Sequence, residues 1–176
     1  MAEDRNKFLN DSGKAGLILG GVAIAYFLIG ILLGKVNLGF FGGLLNFLLW
    51  AAKLVLCIWL LHGFLKKFAA TCDKDRSRTF RFGLITAFCS ALVYSAFCFA
   101  YTQFIVPDFY SEAFQMAADI YSGMLTSEQM DTLLDMEPSL PRLAFFGNLI
   151  WCWLFGTIVS AISSSRICGP SNPFEE

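Results

Sequence analysis

A lysine and an asparagine within an otherwise apolar stretch are the residues of this sequence best placed for binding chemistry. Lys53 lies in the middle of residues 44–65, and Asn46 precedes it by seven residues, which places both on one helix face. An ionisable residue in an apolar span is expensive to bury and by default suggests a function. Three interpretations of Lys53 stay open: it pairs with an acidic residue of another subunit, binds an anionic group such as a lipid phosphate, or snorkels and shares hydroxyls from Ser90, Tyr94 or Ser95.

Three carboxylates form a second candidate site. Glu128, Asp131 and Asp135 are three and four residues apart, so on a helix they share one face. Such a face could bind a divalent cation or a cationic ligand, but calcium sites need a turn with converging carbonyl groups, which favours a solvated acidic face. The sequence contains no HExxH motif, no glycine-rich phosphate loop and no nucleophilic constellation. We therefore predict no catalytic, metal or cofactor site, and a protein that is not an enzyme.

The composition indicates the elements that must position these residues. Of the 176 residues, 56% are hydrophobic and 15% are charged, whereas soluble domains carry about 25% charged residues. This balance excludes a disordered chain, a coiled coil, collagen and a nucleic-acid-binding surface. Because a hydrocarbon core of about 30 Å needs about 20 uncharged residues, uncharged stretches predict three spans, at about residues 15–34, 82–106 and 143–165.

A fourth span, at about residues 44–65, contains Lys53. Its thirteen Leu, Ile, Val and Phe residues contribute roughly −4 to −8 kcal/mol to insertion, against about +2.5 to +3.5 kcal/mol for a central lysine. Insertion is therefore favoured despite the charge. The prediction is an all-α membrane protein, a single domain over residues 1–176 with four transmembrane helices in a compact bundle.

The distribution of lysine and arginine predicts the orientation. Ten of the thirteen lie in the N-terminal tail, between spans 2 and 3, or directly after span 4, whereas only Lys35 and Arg142 lie on the opposite side. The positive-inside rule then places both termini in the cytoplasm. None of the six cysteines lies in the outward connection between spans 3 and 4, so no disulfide framework is indicated.

The connection over about residues 107–142 reads as two short extracytoplasmic helices. Pro107 and Asp108 begin the first, which carries an apolar stripe and ends near Gly123. Thr126 and Gln129 form a capping box for the second, which runs to about Met136.

Small residues at every fourth position predict where the spans pack together. Such stripes let neighbouring backbones approach closely in lipid, and packing within one chain is favoured over a homo-oligomer interface. The stripes comprise Gly83, Ala87, Ala91 and Ser95 in span 3, Gly156, Ser160 and Ser164 in span 4, and Gly16 with Gly20 and Gly30 with Gly34 in span 1.

One set of residues along the chain forms a recognisable pattern. It comprises Phe-Arg-Phe-Gly at 80–83, Tyr94, Tyr101, Pro107, Asp108, Phe109, Glu112, Gly123, Glu128, Gln129, Met130, the segment 156–160 and Arg166. In this pattern the sequence resembles a membrane family of Bacteroidota, catalogued as domain of unknown function number 4199. The resemblance implies a four-span inner-membrane protein, carries over no catalytic residue, and suggests a membrane glycosyltransferase as a partner. Lys53 and the charged connection over residues 66–81 depart from the family pattern.

Three functions fit these observations. The preferred one is a non-enzymatic accessory or assembly subunit that docks a partner through its small-residue stripes and Lys53. The alternatives are a small transporter or channel for an anionic or lipid-linked solute, with Asn46 and Lys53 along the path, and a lipid-acting membrane enzyme that uses the outward carboxylates. The expected partners are the lipid bilayer and another membrane protein or a second copy of the chain; no nucleic acid and no cofactor is expected.

Overall fold

The computed structural model describes residues 2–34, 40–72, 74–107, 109, 111, 115, 119–120 and 126–169. All of the regular elements within these residues are helical, which agrees with the predicted all-α class. In chain order they are α1 (Ala2–Gly34), α2 (Phe40–Thr71), α3 (Arg76–Ala100), a π-helical turn (Tyr101–Ile105), α4 (Ser127–Met136), a 3₁₀ turn (Glu137–Ser139) and α5 (Leu140–Cys168).

Four of the helices are long and apolar enough to cross a bilayer. The membrane-length segments are Arg5–Leu33, Gly43–Thr71, Arg76–Ile105 and Leu140–Cys168, each of 29 or 30 residues. At 1.5 Å per residue each measures about 44 Å, which exceeds the roughly 30 Å of a hydrocarbon core. Large apolar side chains on α2 and α5 are exposed on the outside of the bundle, as expected where lipid is the solvent. The predicted four-span bundle is therefore confirmed.

The helices extend beyond the predicted spans at the end of the bundle that carries the N-terminus. The α1 helix begins at Ala2, and α3 begins at Arg76 within the basic stretch. The carboxylate of Asp75 caps α3 by accepting hydrogen bonds from the backbone N–H groups of Ser77 (2.8 Å) and Arg78 (3.3 Å). The charged residues limit the membrane span, but they do not interrupt the helix.

The α1 and α3 helices run parallel and approach closely at two glycines. A Cβ atom added at Gly16 would lie 2.5 Å from the Cβ of Cys89, and one added at Gly20 would lie 3.0 Å from the Cβ of Val93. The buried hydroxyl of Thr86 also donates a hydrogen bond to the backbone oxygen of Ser12 at 3.3 Å. The absence of a side chain at Gly16 and Gly20 therefore sets the distance between these helices.

The α5 helix packs antiparallel on α3. A Cβ added at Gly83 would lie 2.5 Å from the hydroxyl oxygen of Ser160, and one added at Gly156 would lie 2.6 Å from the Cβ of Ala87. The hydroxyl of Ser160 donates to the backbone oxygen of Gly156 at 2.7 Å, so no polar group of Ser160 is left unsatisfied in lipid. The other members of the two predicted stripes, Ala91, Ser95 and Ser164, are buried.

The α2 helix packs less extensively than the other spans. The most extensive contacts in the bundle are those of α3 with α1 and α5. Near the end of the bundle that carries the termini, Leu61 and Leu65 of α2 join a buried cluster with Phe82. Toward the opposite end, α2 separates from α1 and α3. The spacing of Gly30 predicted a place in a packing stripe, but a Cβ added at Gly30 would have no atom within 4 Å, so this residue is not at a helix contact. Its predicted partner in the stripe, Gly34, is the last residue of α1. A cavity lies beside Gly30 in the described bundle.

The second predicted extracytoplasmic helix is present as α4. The backbone N–H of Thr126 donates to the Oε1 atom of Gln129 at 3.0 Å, which is one of the two hydrogen bonds of the predicted capping box. Most residues of the first predicted extracytoplasmic helix, including Asp108, Glu112 and Gly123, lie outside the described residues.

Candidate functional site

The candidate site is a cavity of about 670 Å³ between α1, α2 and α3, in the half of the bundle remote from the termini. On α2, Asn46, Trp50 and Lys53 are three or four residues apart, so one helix face contributes them all. On α1, Tyr26 and Gly30 have the same spacing. The remaining lining residues are Phe27, Ile31, Leu49, Tyr94, Tyr101, Val106 and Phe109. The volume lies within the range of about 300–1,000 Å³ that is typical of small-molecule sites.

Lys53 is half-buried, and its ammonium group contacts an aromatic ring. The Nζ atom lies 4.3 Å from the centroid of the Tyr94 ring, within the ~6 Å of a cation–π interaction. Such a contact contributes about 2 kcal/mol where water is excluded. Tyr94 was among the residues proposed to share a hydroxyl with Lys53, but the contact uses the face of the ring. No carboxylate within the described part of the chain forms an ion pair with Lys53.

Aromatic rings hold the wall opposite α2 in place. The ring of Phe27 makes edge contacts with Tyr94, at 6.3 Å between centroids, and with Tyr101, at 5.6 Å. Edge-to-face pairs at these distances restrict the orientation of each ring. The ring that faces Lys53 is therefore buttressed by α1, so the position of the ammonium group depends on three helices.

The chemistry of the cavity favours an anion. Lys53 is the only charged residue among its described lining, and the Asn46 amide and the hydroxyls of Tyr26, Tyr94 and Tyr101 are the hydrogen-bonding groups around it. Asn46 and Lys53 are separated by about 10 Å along α2, at 1.5 Å per residue. The cavity thus extends from Phe109, after the end of α3, to a positive charge roughly halfway across the bundle.

The sequence indicated part of this site. Trp50 shares the helix face of Lys53 and Asn46, so its spacing could have identified it. Tyr26 and Gly30 could not be assigned in the same way, because their position beside Lys53 depends on the packing of α1 against α3 and not on any pattern within α1. Ser90 and Ser95 lie on α3, and Ser95 is buried without a hydrogen-bond partner for its Oγ atom in the described structure.

The structure describes only part of the predicted acidic face of α4. Glu128 and Asp135 are exposed, and the side chain of Asp131 lies outside the described residues. No group of three or more His, Cys, Asp or Glu side chains arranged to hold a metal ion occurs among the described residues. The backbone oxygen of Glu128 accepts a hydrogen bond from Thr132 at 2.8 Å, an ordinary contact within a helix.

Four membrane-length apolar helices, three of which line a cavity that contains the half-buried Lys53, define a multi-pass integral membrane protein of the helical-bundle class. Residues 14–166 match the family described as "Protein of unknown function (DUF4199)", and the chain belongs to this family. The match covers all four spans and confirms the resemblance drawn from the sequence. No curated protein and no solved structure matches the chain.

Proposed function

We propose that this membrane protein binds an anionic solute, or the anionic group of a lipid-linked solute, in the cavity that contains Lys53. The observation that carries the proposal is the position of Lys53, which lines a cavity of about 670 Å³, contacts the ring of Tyr94 and forms no ion pair with a carboxylate of the described residues. A lysine that faced lipid, or one enclosed in a dry and close-packed interior, would not support ligand binding.

The energetics of Lys53 favour this function. A lysine at the centre of a span opposes insertion by about 2.5–3.5 kcal/mol, and a cation–π contact of a half-buried ammonium offsets about 0.5–2 kcal/mol of that cost. A ring face offers no lone pair to the three N–H donors of an ammonium group, whereas a carboxylate or phosphate accepts hydrogen bonds from them. An anion in the cavity therefore gains charge-assisted hydrogen bonds in a medium of low dielectric constant.

Trp50 lines the cavity and reports on occupancy. The other three tryptophans, at positions 59, 151 and 153, are replaced by phenylalanine, and the fluorescence of Trp50 is followed in detergent micelles. The probes are a long-chain fatty acid, an isoprenyl phosphate and the corresponding neutral alcohols. We expect saturable quenching by the anionic probes and weaker binding of the alcohols.

The matched variants separate charge from structure. Lys53→Gln should weaken binding of the anionic probes at least tenfold, which corresponds to about 1.4 kcal/mol. Lys53→Arg should retain most of the affinity, and Lys66→Gln, which removes an exposed lysine of the same helix, should have no effect. Equal affinity for a fatty acid and its alcohol, or an unchanged affinity of Lys53→Gln, would contradict the proposal.

The second proposed function is that of a non-enzymatic accessory or assembly subunit. The weaker packing of α2 supports it, since exposed apolar side chains such as Phe47 and Trp59 on that helix are available to a partner span. The partner would be another membrane protein, with a glycosyltransferase as the expectation from the family, or a second copy of the chain. Purification in mild detergent tests this role: recovery of the chain alone, together with an unchanged phenotype of Lys53→Leu cells, would reject it.

Two further expectations complete the proposal. Both termini are proposed to face the cytoplasm of a bacterial inner membrane. A reporter that is active only in the cytoplasm should therefore be active when it is fused after Glu176.

The third function, a lipid-acting enzyme, requires the carboxylates of α4. If the protein were such an enzyme, replacing Glu128, Asp131 and Asp135 by their amides would abolish its activity in the cell. We expect the phenotype of cells with this triple variant to be unchanged.

A further inference from the structure

A second cleft, of about 290 Å³, lies between α1 and α2 at the end of the bundle that carries the termini. Its outer rim is polar and is contributed by both helices: Asp11 and Lys14 from α1, and Lys67 and Thr71 from α2. Its inner part is apolar, because Ile18 and Phe64 lie about one helical turn further into the span. The polarity of the cleft therefore changes along the bilayer normal, from charged to hydrocarbon-like.

The floor of this cleft is fixed by aromatic packing. The rings of Phe68 and Phe82 stack with their centroids 4.3 Å apart, and Phe8 contacts the edge of the pair at 5.4 Å from Phe68. Leu65, one turn before Phe68 on α2, is fully buried. The cleft is consequently a preformed feature of the α1–α2 contact and does not depend on flexible side chains beneath it.

The two lysines at the rim are available to an anion. Lys14 and Lys67 are exposed, and no ion pair joins either of them to Asp11 within the residues that the structure describes. They come from different helices and line the same cleft, so an anion in the cleft lies near two positive charges. Asp11 and the Thr71 hydroxyl add acceptors beside that position.

We propose that this cleft binds a membrane phospholipid, with the phosphodiester between Lys14 and Lys67 and an acyl chain against Ile18 and Phe64. Lys14 and Lys67 lie just beyond the ends of the apolar spans predicted at residues 15–34 and 44–65, which is the depth of the headgroups, and the apolar part of the cleft continues toward the hydrocarbon region. Asp11 receives the ammonium or hydroxyl group of the headgroup substituent. A lipid bound here bridges α1 and α2 and stabilises the helix that packs least extensively in the bundle.

The experiment measures lipid retention by the full-length protein. Native mass spectrometry follows binding of phosphatidylglycerol and phosphatidylethanolamine to the delipidated protein in detergent. Lys14→Gln and Lys67→Gln should each weaken binding about fivefold, since a lysine near the headgroups contributes roughly that factor, and the double variant should weaken it about twenty-fivefold. Lys66→Gln is the matched control: it removes an exposed lysine from the adjacent position of α2, outside the cleft, and should change affinity less than twofold.

Two further measurements distinguish binding of the whole lipid from binding of its headgroup, and distinguish this cleft from the Lys53 cavity. Glycerol 3-phosphate, which lacks acyl chains, should fail to displace the lipid at millimolar concentration. Lys14→Gln and Lys67→Gln should leave the quenching of Trp50 by the anionic probes unchanged, so a failure here and a failure of the anion cavity are distinguishable. The proposal is overturned if Lys66→Gln loses as much affinity as Lys67→Gln, or if glycerol 3-phosphate binds as tightly as the lipid.

Discussion

Replacing Gly16 with alanine should loosen the contact between α1 and α3, whereas the same change at Gly21 should not. The added Cβ at Gly16 would lie 2.5 Å from the Cβ of Cys89 and 2.9 Å from the backbone oxygen of Thr86. The first distance is about 1 Å shorter than the ~3.5–4.0 Å at which carbon atoms attract most strongly. Because a backbone atom of α3 obstructs the new methyl group, a change of rotamer cannot relieve the overlap. At Gly21, no atom lies within 4 Å.

The expected magnitude follows from two opposing effects. Alanine is favoured over glycine in a helix interior by about 0.8–1.0 kcal/mol, and this gain applies at both positions. Overpacking of a close contact costs about 1–3 kcal/mol, and this cost applies only at Gly16. The free energy of unfolding of Gly16→Ala should therefore be about 1–3 kcal/mol lower than that of Gly21→Ala. Gly20→Ala should fall between them, because its nearest neighbour is the Val93 side chain at 3.0 Å.

The assay is unfolding of the purified protein in mild detergent by increasing mole fractions of sodium dodecyl sulfate, followed by circular dichroism. The three alanine variants are compared under one set of conditions, so that the common gain in helix propensity cancels. We expect the transition of Gly16→Ala at the lowest dodecyl sulfate fraction and that of Gly21→Ala at the highest. Coincident transitions for these two variants would refute the close approach of α1 to α3.

Two more predictions address α5 and the start of α3. Gly156→Ala should destabilise the bundle by about 1–3 kcal/mol, because its methyl group would lie 2.6 Å from that of Ala87. Adding Ala87→Gly to Gly156→Ala should restore stability, and Gly147→Ala should not destabilise the bundle. The dodecyl sulfate titration compares these three variants with the unmodified protein. Asp75→Ala should lower stability by about 0.5–2 kcal/mol and Asp75→Asn by less, because an amide oxygen still caps the helix. Faster amide exchange at residues 76–79 in Asp75→Ala, but not in Asp75→Asn, would place the loss of stability at the start of α3. Equal exchange in the two variants would contradict the capping role.

The fold was predictable because the signals that define it are local. Each of the four spans is identified by a long stretch with almost no charge, independently of the other helices. The apolar residues of the second span outweigh the cost of Lys53 in the insertion estimate. The ends of the helices were less predictable. Arg76 and the other charges before residue 82 mark where the membrane span stops, but they favour a helix as readily as a loop, and Asp75 sets the actual start of α3.

The candidate site was only partly predictable because it depends on the register between helices. The face of α2 with Asn46 and Lys53 follows from spacing within one segment. The contact between Tyr94 on α3 and Lys53 on α2 depends on the distance and register between these two helices, which a sequence does not record. Gly30 illustrates the same limit: its spacing matches that of the close-contact glycines, yet it faces the open cavity.

The two halves of the bundle differ in how much change in side-chain volume they tolerate. In the half near the termini and at the middle of the bundle, the neighbours of Gly16, Gly20, Gly83 and Gly156 leave no room for a methyl group. The opposite half is lined by large rings around a void. Substitutions at Asn46 or Trp50 alter the size and polarity of the void without touching the close contacts at those glycines. The α2 wall of the void can therefore vary while the packing of α1 and α5 on α3 stays constant.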